Sequence, residues 1–71
     1  MEHTERRLIL NQVYAALVER GYCPADQIMG CILTGDPAYI TNHKGARRTI
    51  TTIDRHDLLK DIVSDYFSSA I

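Results

Sequence analysis

A chain of 71 residues with a formal net charge of −1 and 45% apolar residues is sized for a single domain, residues 1–71, around one small core. The near-neutral balance gives no overall pull toward nucleic acid or anionic lipid, and no apolar run approaches the roughly 20 residues that span a bilayer. The polar, charged N-terminus lacks the apolar centre of a secretory signal, so the chain is expected to be cytoplasmic and to stay off the membrane.

The first helix is predicted over residues 5–20. Leu10, Val13, Tyr14 and Leu17 recur at i, i+3, i+4 and i+7, and Ile9 and Ala16 widen the stripe. Thr4 is placed as the N-cap, with Glu5 just inside, where the helix dipole favours a negative charge. Gly21 can take positive φ just beyond the end, and Tyr22 follows it as in a Schellman ending. A second helix starts at once with Pro24 at its first position, where an amide hydrogen would have no partner. Ile28, Met29, Cys31, Ile32 and Leu33 give it an almost wholly apolar surface, so it is expected to be the buried centre. Gly30, in its middle, costs about 1 kcal/mol against alanine and points to the close approach of another backbone. Gly35 ends this helix, and Asp36-Pro37 opens a short turn or helix carrying Ala38, Tyr39 and Ile40.

Residues 41–52 are polar, and His43, Lys44, Arg47 and Arg48 are concentrated there. An exposed loop with one short helix over residues 46–50 is expected; the threonine-rich run beside it is too isolated to form a sheet. Asp54 is placed as the cap of the last helix. Leu58, Leu59, Ile62, Val63, Tyr66 and Phe67 form its apolar stripe, with Asp57, Lys60, Asp61, Ser64 and Asp65 on the wet side. The fold class is therefore all-α: a compact bundle of three main helices plus one or two short ones.

Ordering a chain of this length costs on the order of 100 kcal/mol, at roughly 1.5 kcal/mol per residue. Cores this small usually need disulfides, a metal or a partner subunit as well. Cys23 and Cys31 on or beside one helix would hold their Cα atoms about 12 Å apart, beyond disulfide reach, and read as two reduced, mostly packed thiols. His3, His43 and His56 offer no pair at ligand spacing, so no metal is expected. Self-association is left as the expected support, in a homodimer whose dimer or core residues are Tyr14, Leu17, Ile28, Gly30, Ile32, Leu33, Tyr39, Leu59, Ile62, Val63 and Tyr66.

No catalytic motif or cofactor-binding signature is present, so neither enzyme activity nor a cofactor is expected. Thr34-Gly35-Asp36 resembles a fragment of a phosphate-binding turn, but no Lys-Ser/Thr follows it and Pro37 removes an N–H such a cradle needs, so it reads as structural punctuation. Asp54, Asp57 and Asp61 are accounted for by helix capping and a solvated face. His43, Lys44, Arg47 and Arg48 read either as a solvated loop or as a partner-binding face that grips an acidic or phosphorylated segment, arginine offering a planar fork for such anions. A small nucleic-acid-binding helical protein using the same loop is an alternative that the net charge and the acidic last helix count against, and a structural subunit of a larger complex is another.

Gly21-Tyr22-Cys23-Pro24, Gln27-Ile28-Met29-Gly30 and Thr34-Gly35-Asp36-Pro37-Ala38-Tyr39-Ile40 closely resemble the signature of the IreB/ReoM-like family, once grouped as uncharacterised proteins. The likeness runs on through His43-Lys44-Gly45-Ala46-Arg47 and Asp54-Arg55-His56-Asp57 and covers residues 10–67. The resemblance implies a helical homodimer without enzymatic activity that tunes cell-wall synthesis and antibiotic tolerance. It implies phosphorylation on a tail threonine by a membrane Ser/Thr kinase with PASTA domains, and control of Clp-dependent proteolysis of a peptidoglycan-synthesis enzyme. Thr4 is the candidate modification site, although it falls at the expected helix start and reads first as a cap. Cys23 stands where the family usually has Asn, and Thr41-Asn42 stand where it has Pro-Arg.

Overall fold

The computed structural model describes residues 1–69. Four α-helices are joined by short connections: α1 (His3–Glu19), α2 (Pro24–Thr34), α3 (Ala46–Ile50) and α4 (Arg55–Ser69), with 3₁₀ turns at Pro37–Tyr39 and His43–Gly45 between α2 and α3. Among the described residues there is no strand, and no helix is long and apolar enough to cross a membrane.

Local chemistry sets most of the breaks. Gly21 takes φ 79°, Tyr22 N–H donates to the Leu17 carbonyl at 3.0 Å and Gly21 N–H to Val18 at 3.0 Å, the two bonds of a Schellman ending. Gly35, at φ 73°, closes α2 with its N–H on the Cys31 carbonyl at 2.8 Å. Asp36 Oδ1 accepts from Ala38 N–H at 2.9 Å ahead of the turn that Pro37 begins, and Asp54 Oδ1 accepts from His56 N–H at 2.8 Å at the start of α4. These ends fall where the sequence puts them, and so does the short α3.

The start of α1 differs. The helix begins at His3, with Glu2 in the cap position and no side-chain cap bond, so Thr4 lies inside the first turn rather than capping it. The reason is tertiary. Arg6 makes a forked ion pair with Asp61 on α4, Arg7 reaches Asp65 at 3.2 Å, and His3 lies 3.7 Å from Asp65, so this end of α1 is held from outside. Asp61 and Asp65 therefore face α1 instead of lying on a wholly wet side of α4.

The core is shared by all four helices: Val13, Ala16 and Leu17 from α1, Ile28 from α2, Ala46 and Ile50 from α3, Leu58 from α4, with Ile40 and Ile53 from the connections. α2 is not the buried centre that its apolar surface suggests, because only Ile28 on it is buried while Met29 and Leu33 are exposed. The short α3 lies along α1 and buries two of its five residues, Ala46 and Ile50, in the core. Gly30 also has a different partner from the one expected. A Cβ there would meet the Tyr39 ring at 2.5 Å, so the glycine makes room for an aromatic side chain, not for a backbone.

Candidate functional site

The basic loop is built on two hydrophobic anchors. Ile40 before it is fully buried, and Ala46 after it is buried against α1, so residues 41–45 must turn back within a short span. Thr41 organises the turn: its Oγ1 accepts from His43 N–H at 3.2 Å and its carbonyl from Arg47 N–H at 3.0 Å. Lys44 (φ 54°) and Gly45 (φ 72°) are both left-handed, and Gly45 carries that conformation without the Cβ clash that Lys44 bears.

The four expected basic residues have different surroundings. Lys44 Nζ lies 2.9 Å from Glu19 Oε1 and His43 Nε2 lies 3.0 Å from the same oxygen. The Lys44 ammonium, and after it His43, holds the Glu19 carboxyl below its ordinary range. Arg47 is half-buried and donates from Nε to the Ile40 carbonyl at 2.8 Å, tying the loop's two ends together. Arg48 is exposed, and its side chain has no hydrogen bond or ion pair among the described residues. The segment thus presents one unpaired guanidinium and three tethered basic side chains. Glu19 is the participant that sequence reasoning missed. The available signal was a carboxylate at the last residue of a helix, where the dipole disfavours negative charge.

A second feature lies across α1. A groove of about 420 Å³ runs between α1, α2 and α4, floored by Ile28, Ile32 and Ile62 and bordered by Leu10, Tyr14, Met29, Leu33 and Leu59. Of the expected dimer or core residues, Leu17 and Ile28 are buried, and Ile32 and Ile62 pack partly against the core. Gly30 is half-buried beneath Tyr39. Tyr14, Leu33, Tyr39, Leu59, Val63 and Tyr66 are exposed; Leu33 is 73% and Tyr66 70% accessible. Tyr66 also makes an edge-to-face contact with Phe67, ring centroids 5.2 Å apart.

The remaining candidates are simpler. Thr4 is exposed in the first turn of α1. Both cysteines are free; Cys31 is half-buried, whereas Cys23 is exposed rather than packed. Asp54, His56 and Asp57 bring one ligand atom each within 4.8 Å of one another at the start of α4, all exposed, with Asp54 Oδ1 already accepting backbone N–H groups.

The family model described as IreB regulatory phosphoprotein matches residues 1–68. A UPF0297 protein of Acetivibrio thermocellus is 49% identical over 67 residues, covering 94% of this chain and 74% of the relative. With a helical fold whose breaks fall at the glycines and prolines of that signature, the chain belongs to the IreB family of regulatory phosphoproteins.

Proposed function

We propose that the chain is a non-catalytic, cytoplasmic, homodimeric regulator of cell-wall synthesis and antibiotic tolerance. In this reading it acts downstream of a membrane Ser/Thr kinase with PASTA domains and influences Clp-dependent proteolysis by binding a protein partner. Membership of a regulatory phosphoprotein family supports the regulatory role. The partner-binding surface is the loop carrying His43, Lys44, Arg47 and Arg48, and the observation that carries it is Arg48, an exposed guanidinium with no intramolecular partner among the described residues. Such a group is available for a forked pair with a carboxylate or phosphate.

The dimer is proposed through the apolar groove, which lies on a different flank of α1 from the loop: Leu10 and Tyr14 border the groove, while Ala16 and Glu19 face α3 and Lys44. A second copy covering Leu33 and Leu59 would remove apolar surface that is exposed along the groove. The two surfaces are separable by mutation. Arg48→Ala should reduce capture of the partner from cell extract while leaving helicity and mass in solution unchanged. Leu33→Glu should halve the mass by light scattering. Undiminished capture by the Arg48→Ala chain would remove the loop from the proposal, and a wild-type monomer at micromolar concentration would remove the dimer.

A further inference from the structure

The carboxylate of Glu19 already occupies the loop in the way an acidic partner would. It takes Lys44 Nζ on both oxygens, at 2.9 Å and 3.2 Å, and His43 Nε2 at 3.0 Å. Nothing within α1 favours a carboxylate there, since Glu19 ends the helix at the negative pole of its dipole and no basic residue stands in that last turn. The tie also draws on a backbone that glycine would suit better, because Lys44 is the one non-glycine residue at positive φ among those described. The side chains remain within reach of solvent, at 41% exposure for Glu19 and 67% for Lys44. A contact of this kind is weak and exchanges readily.

We propose that Glu19 is an internal stand-in for the partner's anion, holding His43 and Lys44 until a carboxylate- or phosphate-bearing protein segment displaces it. The proposal rests on the reading of the basic loop as the partner-binding surface. With Glu19 in place Arg48 alone is an unpaired basic side chain there among the described residues; with Glu19 displaced the Lys44 ammonium and the His43 ring are open as well. Displacement needs only side-chain rotation, because Ala16, Ala46 and Ile50 keep α1 and α3 packed beneath the loop.

The test is fluorescence anisotropy on the full chain with three labelled probes: an oligoglutamate peptide, a phosphothreonine peptide and a neutral oligoglutamine control. Glu19→Gln frees both the Lys44 ammonium and the His43 ring, and Glu19→Asp keeps the charge but shortens the reach, so both should tighten binding of an anionic probe about two- to fivefold. Glu5→Gln removes the same charge about 21 Å away along α1, beyond the screening length of about 8 Å, and should leave binding unchanged. The two anionic probes distinguish carboxylate from phosphate as the displacing group. Equal tightening by Glu19→Gln and Glu5→Gln, or no change with Glu19→Asp, would overturn the proposal in favour of a general charge effect. Wild-type binding that depends on Arg48 but ignores Glu19 would sink this inference alone. No binding of either anionic probe by any variant would remove the loop reading and this inference together.

Discussion

Ile40 couples the core to the basic loop, so truncating it tests both. Its side chain is fully buried, its N–H donates to the Pro37 carbonyl at 2.9 Å, and its carbonyl accepts from Arg47 Nε at 2.8 Å. Ile40→Ala removes three buried carbons at about 0.8 kcal/mol each, and the cavity left behind adds to that, giving about 3 kcal/mol. A chain of this length has a total stability of roughly 4–10 kcal/mol. The loss is therefore a large fraction of the whole and should lower Tm by about 12–24 °C. Urea melts followed by helical circular dichroism would measure it, at one fixed protein concentration because association shifts apparent stability. Ile40→Val should cost only about 0.5–1.5 kcal/mol. An alanine variant that lost less than about 1 kcal/mol, or a valine variant as damaging as alanine, would refute the anchoring role.

Three further outcomes follow from the geometry. Gly35→Ala should lower stability by about 1–2 kcal/mol in the same melts, because φ 73° strains an L residue and the new Cβ would stand 2.5 Å from the Arg55 guanidinium. The Arg6 guanidinium holds the Asp61 carboxyl below its ordinary value of 3.8, so this pair stabilises the fold above that pH and the contribution is lost as pH falls through the folded value. Arg6→Gln should then flatten the acid limb of Tm measured between about pH 5 and pH 2, and an unchanged limb would argue against the pair. Cys23 should react with a thiol reagent well before Cys31, because Cys23 is exposed whereas burial, and then Asp36, pushes the Cys31 thiol up. Equal rates in the native protein would contradict the packing around Cys31.

The sequence by itself determined where the first three helices stop and where three of the four start. Gly21, Gly35, Asp36-Pro37 and Asp54 act through bonds to residues a few positions away, so their effect is readable without knowing the fold. The exception, at Thr4, arises because Arg6 and Asp61 are far apart in sequence and hold the N-terminal end of α1 from outside. The signature in residues 21–40 likewise carried the family without the structure. Tertiary structure decided which apolar residues are covered. In α4 the neighbours Leu58 and Leu59 are equally apolar, yet Leu58 is buried and Leu59 lines the open groove. It also decided which basic side chains of the loop are paired. Arg47 and Arg48 are adjacent and alike in sequence, but the chain returns past Ile40 on one side only. Arg47 is therefore bound to a carbonyl and Arg48 is left facing solvent. Glu19, 24 residues before His43, entered the site only because α3 packs along α1 and brings the loop to that helix end.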